Sequence, residues 1–157
     1  MSATMKLPGK VSSARIWTGR VLSGLALLFL LMDGLVKIVP PPMVVEITTQ
    51  LGYPASVIPA LGILLTAITL LAIFPRTAVI GTILLTGYLG GAIATHVRVQ
   101  DAPFSHIFPI LIGGLLWGGL ALRRPELAAV IFGQPTAKKR RRTENDVEIA
   151  QGETTQR

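Results

Sequence analysis

The fold of this protein is decided by the stretch WTGRVLSGLALLFLLMDGLVKIV, residues 17–39, which is long enough and apolar enough to cross a membrane as one helix. Three similar blocks follow at residues 57–74, 77–95 and 107–122. Hydrophobic residues make up 50% of the chain, and they run continuously instead of recurring on one face as in a soluble amphipathic helix. We therefore predict an all-α, membrane-embedded four-helix bundle.

The four spans account for about half of the 157 residues and leave no room for a second folded domain of ordinary size, so we expect a single domain. We place a short segment at residues 1–15, the membrane domain at residues 16–125 and a tail at residues 126–157. From about Gln134 the tail is rich in Lys, Arg, Glu, Thr and Gln, a composition that predicts disorder. The absence of cysteine excludes disulfides, thiolate metal sites and electron relay through thiols.

Positive charge flanks the spans on one side. The formal net charge is +7, and the basic residues cluster before the first span, at Arg76 between the second and third, and after the fourth. The positive-inside rule predicts that these regions, and hence both termini, face the cytoplasm. We expect the basic tail to lie against anionic lipid headgroups, with the bilayer rather than nucleic acid as its partner.

Small residues at four-residue spacing predict where the helices pack, because helices in lipid approach each other closely through glycine and alanine. The candidates lie on the third and fourth spans. We expect them to bring these two spans into close contact within the chain, with contact between two copies as the alternative. The glycines are Gly87, Gly90, Gly91, Gly114 and Gly118.

Ionisable residues gather at the other end of the spans. Asp33 and Lys37 are four residues apart near the end of the first span, so they share a helix face and can neutralise each other. His96 and Arg98 follow the third predicted span, and His106 precedes the fourth. Three separate segments therefore bring protonatable or charged groups to the same membrane level.

Two interpretations of this cluster stay open. In the first, it binds a polar headgroup or a proton-coupled redox substrate, with the two histidines exchanging protons near neutral pH and Arg98 holding an oxygen atom of the ligand. In the second, Lys37 and Arg98 reach to the interface, Asp33 neutralises Lys37, and the histidines cap helix ends. Two histidines do not predict a metal site, which takes three or four ligands.

Three stretches resemble the DoxX-like family of small bacterial four-helix membrane proteins: DGLVK at residues 33–37, LGGAIATHVR at residues 89–98, and LALR at residues 120–123 after Trp117. The resemblance implies a location in the bacterial inner membrane. Better-known relatives are associated with quinone-linked oxidation of reduced sulfur compounds or with membrane complexes that handle redox stress. The residues that match the family pattern are Gly34, Lys37, Gly90, Gly91, His96 and Arg98.

Our leading hypothesis is an accessory or quinone-interacting subunit of a membrane redox system, in which Lys37, His96 and Arg98 bind a polar head and Asp33 sets the charge of Lys37. We expect no built-in cofactor, a diffusible quinone as ligand and a redox-enzyme subunit as partner. Two alternatives stay open. One is a small-solute transporter or channel whose pore comes from a homo-oligomer, and the other is a non-catalytic scaffold that holds a soluble partner at the membrane.

Overall fold

The computed structural model describes residues 13–124 and 126–127, and the regular elements of this part are all helical. Four helices are long and apolar enough to cross a membrane, which confirms the predicted all-α four-helix architecture. Nearly all of the predicted tail lies outside the described residues, as do residues 1–12. The helices are α1 (Ser13–Ile38), α2 (Pro42–Gln50), α3 (Ile58–Ile73, preceded by a 3₁₀ turn at Ala55–Val57), α4 (Ala78–Arg98) and α5 (Pro103–Arg123).

The four long helices run alternately up and down, and each packs against two antiparallel neighbours. Helix α1 contacts α3 and α5, and α4 contacts the same two helices from the opposite side. One end of the bundle is formed where α1 and α4 finish and where α3 and α5 begin. We call this the polar end, and we call the opposite end, which carries Arg20, Arg76, Arg123 and Arg124, the basic end.

Helices α4 and α5 extend beyond the predicted apolar blocks at the polar end. Helix α4 continues to Arg98 and α5 begins at Pro103. Between them, Gln100 adopts a positive φ of 54°, which turns the chain back toward the bundle. The helices are longer than the apolar blocks because a helix can continue through polar residues. Their side chains reach toward the membrane surface while their backbone stays hydrogen-bonded within the helix. His96 and His106 therefore lie within helices, on adjoining antiparallel segments.

The core between the helices is apolar, and most of its threonine hydroxyls donate to a carbonyl oxygen of their own helix. Among the described residues, Thr66 is the exception, because its buried hydroxyl has no hydrogen-bond partner. Leu30, Leu65, Leu85 and Leu116 are almost completely buried. The Thr69 hydroxyl, also fully buried, donates to the Leu65 carbonyl oxygen of its own helix at 2.7 Å. A hydroxyl that bonds four residues back costs little to bury, so these positions pack as small apolar residues would.

Close contact between helices is made by glycines on all four long helices, including Gly81 of α4, where a Cβ atom would clash with the Ala72 amide nitrogen of α3. A Cβ atom on Gly62 would lie 2.7 Å from the Gly34 carbonyl oxygen and 2.8 Å from the carbonyl carbon of Lys37. At the basic end, a Cβ atom on Gly19 would lie 2.8 Å from the Gly119 carbonyl oxygen. Only hydrogen fits at these points, so α1 packs with its backbone against α3 at one end and against α5 at the other.

The glycines predicted to pack α4 against α5 do not do so. A Cβ atom added to any of Gly87, Gly90, Gly91, Gly114 or Gly118 would meet no atom of another element within 4 Å. The two helices do pack together, but large side chains set their separation. The Trp117 indole of α5 donates to the Thr86 hydroxyl of α4 at 2.9 Å. The prediction of close contact through these glycines within the chain is therefore wrong, and their contact with a second copy stays a prediction.

The short helix α2 covers the polar end of the bundle. Prolines 40–42 end α1, because proline has no amide donor, and Pro42 is then the first residue of α2. Gly52 ends this segment with a φ of 85°, a conformation that favours glycine. Helix α2 makes few backbone contacts with the long helices, so side chains decide how it is held over them.

At the basic end, a single arginine joins α5 to α1. The Arg123 guanidinium donates to the Ser23 hydroxyl at 2.9 Å and to the Gly119 carbonyl oxygen of its own helix at 3.1 Å. Beside it, Arg124 donates to the carbonyl oxygen of Pro75 in the turn between α3 and α4. These arginines therefore stabilise the fold, since they satisfy backbone and hydroxyl oxygens at the basic end.

Candidate functional site

A cavity of about 500 Å³ lies inside the polar end, beneath α2. All five helices contribute to its wall. Its inner part is apolar, formed by Leu30, Leu61, Leu89 and Ile112, while Phe29 and Phe108 meet edge to face with ring centroids 5.0 Å apart. Its outer part carries the polar groups of Asp33, Lys37, Thr48, Tyr53, Tyr88 and His96. The cavity is therefore amphipathic, with an apolar end deep in the bundle and a polar end toward the surface.

The predicted pair of Asp33 and Lys37 is formed and lines this cavity. The Lys37 ammonium group donates to the Asp33 carboxylate one turn earlier on α1. The Lys37 side chain is 19% exposed and the Asp33 side chain is 36% exposed, so the pair borders an accessible space. Because each charge has its counterion on the same helix, this part of the wall is close to neutral.

Two tyrosines, which the sequence analysis did not single out, add hydroxyl groups to the cavity. The Tyr53 hydroxyl, at the end of the α2 segment, lies 3.0 Å from the Thr95 hydroxyl on α4, and Thr95 also donates to the Gly91 carbonyl oxygen at 2.9 Å. Tyr88 lies two turns before Thr95 on the same face of α4. The spacing of Tyr88, Ala92 and Thr95 is a helical-face signal that could have identified this wall from sequence.

His96 lines the cavity, and His106 approaches it from α5. The two imidazole rings are 6.4 Å apart between centroids, although they belong to different helices. Nδ1 of His96 lies 2.9 Å from Oδ2 of Asp101, in the turn between α4 and α5. Nδ1 of His106 lies 3.0 Å from the Ala102 carbonyl oxygen. The structure thus brings the two predicted histidines together at the polar end, with only His96 in the cavity wall.

Arg98 is placed differently from the other predicted site residues. It is exposed, it does not line the cavity, and its guanidinium donates to the Leu51 carbonyl oxygen at 2.8 Å. The same group lies beside Gly52, where a Cβ atom would come within 2.8 Å of it. Arg98 therefore holds the end of α2 against α4, and its effect on the cavity is through this covering helix.

Replacing Arg98 with alanine is expected to loosen α2. A hydrogen bond from a charged donor is worth about 1.5–3 kcal/mol, and solvent exposure reduces this value. We expect amide hydrogen exchange in residues 42–52 to become about tenfold faster, measured by mass spectrometry in lipid nanodiscs. Arg20→Ala, which removes an exposed guanidinium at the basic end, is the control. Exchange that stays equally slow in both variants would contradict this role.

The fold and its cavity define a multi-pass membrane protein with a ligand-sized space at one end of a four-helix bundle. Residues 21–119 match the model of the DoxX-like family, and this match covers every residue of the cavity wall. Since it spans more than half of the chain, the protein belongs to the DoxX-like family. Comparisons with curated proteins and with solved structures gave no match.

Proposed function

We propose that this DoxX-like membrane protein binds a quinone in the cavity and serves as an accessory subunit of a membrane redox system. The observation that carries the proposal is the amphipathic cavity itself. A volume of about 500 Å³ lies within the range of small-molecule sites, and apolar walls with a few polar groups are typical of them. A quinone has the matching shape, with a polar ring at one end and an apolar chain at the other.

The charge of the wall favours a neutral head. Lys37 is already neutralised by Asp33, and Arg98 lies outside the cavity. An anionic phosphate head would need an uncompensated cation, since burying its charge without one is costly. The carbonyl oxygens of a quinone and the hydroxyl groups of its quinol need only hydrogen-bonding groups, which Tyr53, Tyr88 and His96 supply around the polar end.

The accessory role follows from the residues that the chain offers for electron transfer. The sequence has no cysteine, and in residues 13–124 no group of three potential metal ligands comes together. Electrons for quinone chemistry would therefore be delivered or taken by a partner subunit. With the positive-inside rule, the basic end faces the cytoplasm of a bacterium and the cavity lies near the outer face of the inner membrane.

Filling the cavity tests the proposal. Ala92 lines it, whereas Ala94, two residues away on α4, is exposed on another face. We expect Ala92→Phe to weaken binding of a short-chain ubiquinone and of menadione at least about tenfold, because the ring would occupy the space of the ligand. Ala94→Phe adds the same group toward the lipid and should leave binding unchanged. Binding is measured on the full-length protein in nanodiscs by fluorescence quenching or thermal shift.

Two results would contradict the proposal. Absence of saturable quinone binding by the natural protein would remove the cavity as a quinone site and would favour the scaffold hypothesis. Equal loss in Ala92→Phe and Ala94→Phe would show that quinones partition into the protein surface and not into the cavity. Uptake of small solutes by vesicles that contain the protein, without quinone binding, would favour the transporter hypothesis.

A further inference from the structure

His96 connects the cavity with the surface of the polar end. His96 lines the cavity, and its Nδ1 is held by Asp101 in the exposed turn between α4 and α5. Within the described residues, no protein group makes a hydrogen bond to the other ring nitrogen, Nε2. The protonation of Nε2 therefore decides whether His96 offers the cavity a hydrogen-bond donor or an acceptor.

Asp101 decides which nitrogen carries the proton. Its Oδ1 accepts the Ala102 amide hydrogen at 2.7 Å, which leaves Oδ2 for His96. That backbone hydrogen bond is the largest cause of a lowered pKa of Asp101, followed by the side-chain hydrogen bonds from His96 and Ser105. The carboxylate is therefore ionised wherever histidine titrates, and an ionised carboxylate can only accept. Nδ1 must then be the donor.

A neutral imidazole with its proton on Nδ1 has a lone pair on Nε2. We propose, on the basis of the quinone site proposed above, that the cavity selects the reduced, hydroxyl-bearing form of its ligand. The reason is that neutral His96 can accept a hydrogen bond from a quinol hydroxyl but cannot donate one to a quinone carbonyl. Asp101 is thus a positioning residue that acts through His96. The ligand class becomes a quinol or another phenol with an apolar chain.

The other groups around the polar end agree with this selection. Asp33, on α1, is a second acceptor in the wall, and Lys37, which donates one hydrogen to Asp33, keeps N–H groups that can bind either form of the ligand. The hydroxyls of Tyr53 and Tyr88 can donate or accept, so they bind either form of the ligand. His106, on α5, is 6.4 Å from His96 between ring centroids, and its Nδ1 bonds the Ala102 carbonyl oxygen.

Charges near His96 come from two further sources besides Asp101 and the ion pair on α1. His106 becomes a like charge when both rings are protonated, and Arg98 is an exposed cation two residues after His96 on α4. Protonation of His96 places a hydrogen on both ring nitrogens, so the ring then donates to the cavity. The preference for a quinol is therefore present while His96 is neutral and is lost when the ring is protonated.

Binding of the two redox forms tests the proposal. We compare a short-chain ubiquinol and the matching ubiquinone, under anaerobic conditions, on the full-length protein in nanodiscs between about pH 5 and pH 8. At the upper pH we expect the quinol to bind about tenfold more tightly than the quinone. The quinol hydroxyl gains a hydrogen bond to Nε2 of His96, whereas the quinone carbonyl and Nε2 are both acceptors. The preference should shrink as the pH is lowered.

Asp101→Asn is the decisive variant. With its carbonyl oxygen on the Ala102 amide, the asparagine would present its NH₂ group to Nδ1 of His96. Nδ1 must then accept, the proton moves to Nε2, and we expect the preference to disappear or reverse while binding itself is kept. Glu46→Gln, which removes an exposed carboxylate from α2, is the matched control and should keep the quinol preference.

The outcomes separate this inference from the proposed function. Equal affinity for both redox forms in the natural protein, or an unchanged preference in Asp101→Asn, would overturn the inference and leave the quinone site standing. No saturable binding of either form would overturn the quinone site and the inference together. A quinol preference that is lost in Asp101→Asn and kept in Glu46→Gln would support the inference.

Discussion

Replacing Lys37 with methionine is expected to lower the free energy of unfolding of the membrane-embedded protein by about 2 kcal/mol. The substitution keeps an unbranched chain of similar length but leaves the Asp33 carboxylate without its counterion. An unpaired charge costs about 2.5–3.5 kcal/mol at the bilayer centre and less toward the interface, where this pair lies. Unfolding is followed by titration with sodium dodecyl sulfate in mixed micelles.

The double variant Asp33→Leu, Lys37→Met separates the cost of the unpaired charge from the contribution of the pair. Removing both charges leaves no unpaired group, so we expect the free energy of unfolding to return to within about 1 kcal/mol of the natural value. If the double variant is as unstable as Lys37→Met, the pair does not work by mutual neutralisation. Arg20→Met, on the same helix at the basic end, is the control for loss of a cation.

The same double variant reports on ligand binding. It has regained stability but has lost two polar groups of the cavity wall. We therefore expect its affinity for short-chain ubiquinol and ubiquinone to fall about tenfold, the effect of one lost hydrogen bond to a charged group. Full binding by a stable double variant would show that the pair serves the fold alone.

Replacing Gly62 with alanine is expected to lower the free energy of unfolding by about 1–3 kcal/mol. The added Cβ atom would lie 2.7 Å from both the Gly34 carbonyl oxygen and the Ile38 amide nitrogen. These are backbone atoms, so no side chain can turn aside, and α1 and α3 must move apart. Because this contact lies next to the cavity, the ubiquinone affinity of the variant should fall with its stability.

Gly114→Ala is the matched control for this prediction. No atom of another element lies within 4 Å of the position that its Cβ would take. Alanine should therefore leave the stability unchanged or raise it by about 0.4–1 kcal/mol through the lower entropy of the unfolded chain. Equal destabilisation by the two substitutions would show that helix flexibility, and not close contact, explains the effect at Gly62.

Local sequence features predicted the parts of the site that depend on one helix. The four spans follow from apolar length, and the pair of Asp33 and Lys37 follows from its four-residue spacing. Each of these features is set by neighbours within one or two turns, so the chain need not be folded to reveal it.

The rest of the site depends on how each helix is rotated about its axis. Tyr53 and Tyr88 line the cavity. Arg98 does not line it and donates to the Leu51 carbonyl oxygen, because α2 lies over the end of α4. The sequence contains the helical spacing of Tyr88 and Thr95, but it does not show that this face of α4 turns inward. The sequence therefore predicts how far along its helix a residue lies, but not whether its side chain points into the bundle.

The sequence by itself determined that this is a four-span DoxX-like membrane protein with an internally neutralised ion pair near one end. Only the tertiary structure decided that Gly34 and Gly62 meet, that Gly90 and Gly114 do not pack, and that a cavity lies beneath α2. The physical reason is that lipid, and not water, surrounds these helices. All faces of these helices are apolar, so hydrophobicity defines their length, whereas side-chain and backbone packing define which faces meet.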